Sequence, residues 1–265
     1  MFKKKFEEFL ISRQEELLSV QEMKQGTESK VFLVNNKYIF KFHNENTIKS
    51  EYEFFNCYKC ELNEKIVFIS EDFSYIVYLF IKNNKRFLCN DSLILKLINY
   101  VEHYPEFKGD KFGFLYEETE TWKDFLLAEL NGKKDFALKV LSETDLQKTL
   151  HAVEVIDKYK FNKKLMHGDF GLYNLLFYNN ELVGIIDPQP IIGDPLYDFI
   201  FCIFSEEDIA TLEVIENIYK FVPSEPKEKV DSMMRVVLFG RIARCVKYNL
   251  SEKNYFIDLW NKLNN

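Results

Sequence analysis

The spacing of apolar residues changes character at the polar tetrad Lys82-Asn83-Asn84-Lys85. Before it, Val31 and Leu33, then Tyr38, Phe40 and Phe42, recur at every second position, the period of strands with one buried face. Asn35-Asn36 between these runs is a hairpin-turn pair, because asparagine tolerates positive φ. An amphipathic helix is predicted over residues 3–18 and another over 47–61, where Ile48, Tyr52 and Phe55 stand three or four residues apart; the apolar runs 66–69 and 75–81 read as strands. After the tetrad, longer helical patterns dominate, including 122–130 and 144–159, with Ser142 or Thr144 as cap. Two short apolar runs, 175–178 and 182–186, flank Asn179-Asn180-Glu181 as a second hairpin. The pattern predicts an α+β chain with a strand-rich part over residues 1–81 and a mainly helical part over 82–265.

A formal net charge of -7 argues against sequence-independent nucleic-acid binding, which gathers lysine and arginine on one face to displace phosphate counterions. The acidic balance would suit a polycationic substrate, but many ordinary cytosolic proteins are this acidic, and that reading outweighs the first. The five cysteines are odd in number and scattered, which suits a reducing compartment; Cys57 and Cys60 share a helical pattern with no second pair, so they read as neighbouring thiols and not a zinc site. Residues 1–8 run from lysines into glutamates without an apolar signal core, and no stretch approaches the roughly 18 apolar residues of a membrane span. The expected location is the cytoplasm, with no nucleic-acid or membrane partner.

The densest chemistry lies in Leu165-Met166-His167-Gly168-Asp169-Phe170-Gly171-Leu172-Tyr173-Asn174. An aspartate followed by four residues and an asparagine is the spacing of a kinase catalytic loop. One carboxylate must accept a hydrogen bond from the attacking hydroxyl, while an amide oxygen one loop-turn away ligates the magnesium that bridges the phosphates. Asp169 is therefore the expected base and Asn174 a metal ligand. The second hairpin ends in Gly184-Ile185-Ile186-Asp187-Pro188, which returns a second carboxylate, Asp187, as a further hard oxygen ligand for magnesium.

These residues, continued by Gly193-Asp194-Pro195-Leu196-Tyr197-Asp198, resemble the core signature of the aminoglycoside phosphotransferase and choline kinase-like superfamily. The resemblance implies a two-lobed, protein-kinase-like α+β fold, with a small antiparallel-sheet N-lobe, a mainly helical C-lobe and the nucleotide between them. It implies Asp198, with His167, as support of the catalytic loop. Upstream it implies Lys41 as the lysine on the α- and β-phosphates, and Glu51 as the glutamate that orients it, with Glu53 the alternative. Gln25-Gly26-Thr27-Glu28-Ser29-Lys30 takes the place of the phosphate-covering loop with a single glycine, so hydroxyl contacts from Ser29 or Thr27 would replace a glycine-rich turn. Backbone groups near Leu79 and Ile81 would hold the base, with Tyr78 at the access position.

The activity implied is magnesium-dependent transfer of the γ-phosphoryl group of ATP or GTP to a hydroxyl of a small molecule, an aminoglycoside first among acceptors. Choline or ethanolamine, an amino-sugar, another hydroxylated metabolite and a non-catalytic nucleotide-binding role are the alternatives. Trp122 reads either as core or as a tryptophan recurrent in antibiotic kinases. Arg241 and Arg244 share a helix, where pairing with Asp198, with a substrate anion or with solvent stays open.

Overall fold

The structure, a computed structural model, describes residues 2–23, 29–84 and 86–264. The chain divides into two compact units, Met1–Arg86 with Leu176–Ile186, and Phe87–Leu175 with Asp187–Asn265.

The first unit opens with helix α1 (Phe2–Ile11). It stops short of the expected residue 18, because Ser12-Arg13-Gln14-Glu15-Glu16 offers no apolar face and Gln14 takes a left-handed φ of +60°. Five strands follow: β1 (Val20–Met23), β2 (Lys30–Val34), β3 (Tyr38–Phe42), β4 (Ile66–Ile69) and β5 (Tyr75–Leu79), in the order β1-β2-β3-β5-β4 with every neighbour antiparallel. The β2–β3 turn places Asn35 and Asn36 at φ of +54° and +50°, the pair a two-residue hairpin demands.

Period two sets what each face of this sheet does. Phe32, Tyr38, Phe40 and Phe42 meet Phe2, Phe6 and Phe9 of α1 ring against ring, with centroids 4.6 to 5.3 Å apart. Each fully buried phenylalanine contributes about 1.5–3 kcal/mol, with about 0.5–1.5 more for a well-angled aromatic pair. Lys41, between Phe40 and Phe42, is thereby turned to the opposite face, toward helix α2 (Glu45–Cys57). Asn44 caps α2 by accepting from Thr47 N–H at 2.9 Å. A hairpin of Leu175–Tyr178 with Glu181–Ile185 turns through Asn179 and Asn180, again at positive φ. Ile185 N–H donates to Leu62 O at 2.7 Å, and Ile185 O accepts from Glu64 N–H at 3.3 Å.

The second unit is mainly helical. Its elements are α3 (Asp91–Glu102), β6 (Phe112–Phe114), β7 (Glu117–Thr119), α4 (Trp122–Ala137), α5 (Glu143–Ile156) and β8 (Lys164–Met166). After the hairpin strands, β9 and β10, come β11 (Ile191–Gly193), α6 (Pro195–Ile203), α7 (Leu212–Glu216), α8 (Ile218–Phe221), α9 (Lys227–Tyr248) and α10 (Lys253–Asn264). Four short strands form a sheet in the order β7-β6-β11-β8. Capping boxes start α4 and α5, Thr121 with Asp124 and Ser142 with Asp145, each satisfying two orphan N–H groups. Helix α9 is buried along most of its length and packs against α4, α5, α6 and α10. Trp122 is buried and stacks on Phe125 at 5.0 Å, a core position. Among the described residues no helix is long and apolar enough to cross a membrane.

Candidate active site

In the second unit, His167-Gly168-Asp169 leaves the end of β8 in a tight turn. Gly168 sits at φ +78°, and a Cβ there would stand 1.9 Å from Gln189 O, so any side chain would break the turn. Gln189 N–H donates to His167 O at 2.9 Å across the same approach. His167 is fully buried with its ring against Phe170, which stacks on Tyr100 at 5.2 Å.

Helix α6 and its end grip the loop twice. The Asp198 carboxylate accepts from Gly168 N–H at 3.0 Å and from the Tyr104 hydroxyl at 2.9 Å, both on Oδ2. Ser205 Oγ accepts from Leu172 N–H at 2.9 Å and donates to Cys202 O at 2.7 Å. Asp198 Oδ1 is buried with no hydrogen bond. Burial pushes the Asp198 carboxyl up to about 7, against the backbone and Tyr104 donors that favour its charged form, and the Asp169 charge adds to the rise.

That shift has a defined sign. The folded carboxyl keeps its proton to about pH 7, whereas the unfolded one releases it near 3.8. Its stabilising contribution is therefore complete below the unfolded value and is lost as pH rises through about 7. Relative to an Asp198→Asn variant, the native protein is expected to lose about 1.4 kcal/mol per pH unit up to pH 7. Urea denaturation of both proteins at pH 5, 6, 7 and 8 measures this; parallel pH profiles would show that Asp198 is not a buried acid.

Between these anchors a 3₁₀ turn, Leu172–Asn174, folds two side chains back onto Asp169. The Tyr173 hydroxyl donates to Asp169 Oδ1, and Asn174 Nδ2 donates to Oδ2 at 3.0 Å and to the Asp169 backbone O at 2.9 Å. Gly171 makes room for this: a Cβ there would lie 2.5 Å from the Tyr173 ring. Arg244 of α9 donates from Nη1 to the Tyr173 oxygen at 2.8 Å and stands 3.9 Å from Asp169 Oδ1. Burial raises the Asp169 pKa; Tyr173, Arg244 and Asn174 pull it back and the Asp187 charge adds to the rise. A carboxylate with raised basicity, fixed on both oxygens, suits proton acceptance from a hydroxyl.

Asp187 follows β10 at φ +56°, a conformation aspartate tolerates, and is half-buried. With Nδ2 of Asn174 committed to Asp169, Oδ1 is the atom of that side chain left to ligate a hard cation. Among the described residues no group of three or more His, Cys, Asp or Glu side chains is placed to hold a metal alone. One carboxylate plus one amide oxygen fits magnesium bound jointly with nucleotide phosphates, the mode such ions favour.

In the first unit, Lys41 Nζ donates to Glu51 Oε1, with the lysine nearly and the glutamate fully buried. Glu51 Oε2 accepts from the Tyr78 hydroxyl at 2.8 Å. Tyr78 is buried beside Phe55, so it stands at no access position; its hydroxyl is needed to satisfy Glu51. Leu79 N–H donates to Lys65 O at 3.0 Å, while Ile81 O accepts from Asn83 Nδ2 at 3.3 Å. Ser29 immediately precedes β2; residues 25–28 of the expected phosphate loop lie outside the described residues.

Three participants escaped the sequence reading: Tyr104, Ser205 and Tyr173. Of the two helix arginines whose pairing the sequence leaves open, Arg244 stands beside the base and Arg241 pairs with Glu252 at 2.9 Å. Of the three, only Tyr173 carried a signal, its place inside the Asp169-to-Asn174 loop.

The profile of the phosphotransferase enzyme family matches residues 89–228. No curated protein matches the chain in sequence. Among solved structures, a thermostable mutant of aminoglycoside phosphotransferase APH(4)-Ia, in ternary complex with AMP-PNP and hygromycin B, superposes with a TM-score of 0.64 at 17% identity, covering 97% of each chain. The GDP and kanamycin complex of APH(2")-IIIa gives 0.64 at 17% identity, covering 99% of this chain and 98% of that one. The streptomycin–ATP complex of APH(2")-IIa gives 0.59 at 19% identity, covering 91% and 89%. At these identities the likeness shows a shared α+β fold.

Proposed function

We propose, on the premise that the chain belongs to the phosphotransferase enzyme family, that it transfers the γ-phosphoryl group of ATP or GTP, with magnesium, to a hydroxyl of a small molecule. The observation that carries this reading is the Asp169 carboxylate, held on both oxygens by Tyr173 and Asn174 at the end of a loop that only glycine at 168 permits. The nucleotides in similar structures, AMP-PNP, GDP and ATP, support a nucleoside triphosphate as donor.

In the proposed reaction the acceptor O–H donates to Asp169. The acceptor oxygen forms a bond to the γ-phosphorus as the bond to the β-phosphate oxygen breaks, and the nucleoside diphosphate leaves with that electron pair. The acceptor proton passes to Asp169 and then to solvent. Lys41, oriented by Glu51, contacts the phosphates; Asn174 and Asp187 hold the magnesium, which supplies neutralisation of phosphate charge. His167 and Asp198 keep the loop in shape, and Ser29 and the backbone near Ile81 serve the nucleotide. Positioning and electrostatics supply most of the acceleration in such reactions.

The test is nucleoside diphosphate release, with and without magnesium, across cationic, neutral and anionic hydroxyl compounds. Hygromycin B, kanamycin and streptomycin in the similar structures make aminoglycosides one arm of that panel. Release that depends on both magnesium and one acceptor is expected. A folded protein that releases diphosphate with no acceptor in the panel would refute the reading.

A further inference from the structure

Beside the proposed base stands a cation that the phosphoryl-transfer machinery does not require. Arg244 is 42% exposed and stands on the last turns of α9, 3.9 Å from Asp169 Oδ1. Its position is set, not incidental: Nη1 donates to the Tyr173 oxygen, and the guanidinium lies 4.8 Å from the Tyr173 ring centroid. Tyr173 in turn is seated by the bare backbone of Gly171 and by its bond to Asp169. Only Nη1 is committed; Nε–H and Nη2–H have no hydrogen-bond partner among the described residues.

The neighbouring charges are of both signs, with Asp169 the carboxylate that Arg244 faces. Lys133 of α4 lies against Gly240, one turn before Arg244, with Cδ 3.6 Å from where a Cβ would stand. Lys247, three residues on, extends along α9 toward Tyr248 and Phe136, at 5.0 and 5.8 Å from their centroids. Glu129, the carboxylate beside Lys133, is already paired with it. With Lys133 already neutralised by Glu129, Arg244 is the cation that a hydroxyl presented to Asp169 meets beside the base. A carboxylate or phosphate on the same small molecule finds there a planar fork of donors that matches its oxygens.

We infer that Arg244, held at the catalytic carboxylate by Tyr173, binds an anionic group of the acceptor, so that the substrate is a hydroxylated carboxylate or a phosphorylated alcohol. This rests on the kinase reading above and narrows its acceptor. The bond changes are those already given; the anion of the acceptor takes no part in them and only orients the hydroxyl.

The test compares four acceptor arms at saturating magnesium and nucleotide: D-glycerate and 3-hydroxybutyrate, glucose 6-phosphate, neutral glucose and glycerol, and kanamycin with choline. Transfer is expected in one of the first two arms, which tells carboxylate from phosphate. Arg244→Gln should raise KM for that acceptor by about 10- to 100-fold, the range for a hydrogen bond to a charged group, with a smaller effect on kcat. Arg244→Lys should recover part of the KM, because it restores charge without the fork. Tyr173→Phe, which removes both the bond to Asp169 and the oxygen that anchors Arg244 Nη1, should lower kcat and raise KM together. Thermal melting confirms that each variant folds. Transfer to kanamycin, choline or neutral compounds alone overturns the inference and leaves the kinase standing, as does an unchanged KM in Arg244→Gln. Transfer to no arm overturns both.

Discussion

Replacing Asp169 by asparagine lowers kcat by about a hundred- to ten-thousand-fold, the range for loss of a positioned general base, and leaves nucleotide binding in place. Asparagine keeps the size of the side chain and can still accept from Tyr173. It cannot take the acceptor proton, and it removes the charge opposite Arg244. Lys41 and Glu51, which would serve the phosphates, pair with each other in the other compact unit. Steady-state kinetics read the loss, and nucleotide-induced elevation of the melting temperature shows the donor site intact. A variant within a few-fold of the native kcat would remove Asp169 from the role of base.

The second large effect falls on stability. Replacing Lys229 by methionine is expected to cost about 3–5 kcal/mol, the range for stranding one partner of a buried ion pair. Lys229 and Asp194 are both 1% exposed, with Nζ 2.8 Å from Oδ2. Asp194 also caps α6 by accepting from Leu196 N–H, and α6 carries the Asp198 grip on the catalytic loop. Glu225, which shares the ammonium at 2.7 Å, is more exposed and recovers hydration more readily. Chemical denaturation measures the cost; the double variant Lys229→Met, Asp194→Asn should recover part of it, since no buried charge is then left unmatched. Independent, additive losses would show that the two side chains are not coupled.

The α+β character, both asparagine hairpins and the helix starts at Ser142 and Trp122 were legible because each follows from local chemistry: alternation, φ tolerance and capping. The loop from His167 to Asn174 was legible because its residues do their work within one turn of chain. Other features are decided by distant packing. β1 shows almost no burial and so no alternation, and β11 is three residues long, too short for a period to register. Ser205 and Tyr104 reach the loop from elements whose sequences give no sign of their target. Tyr78 looked like a residue at an opening because alternation tells which side chains share a face, not which carboxylate waits beneath them. Arg244 is one arginine among several until α9 is laid beside Tyr173.

The hairpin between Asn174 and Asp187 has a consequence for biosynthesis. The first unit contains residues from both ends of a long stretch of chain, and Leu62 O and Glu64 N–H bond to Ile185. As the chain leaves the ribosome, the first 86 residues can form their five-stranded sheet, but the bridge from the segment before β4 to Ile185 waits until residues 87–184 have been made. A chain cut after Arg86 would therefore keep its five strands but lack the Ile185 groups to which Leu62 O and Glu64 N–H bond. The two residues expected to hold magnesium lie on either side of the hairpin that makes this bridge, so the proposed metal site and the finished first unit arrive at the same moment of synthesis.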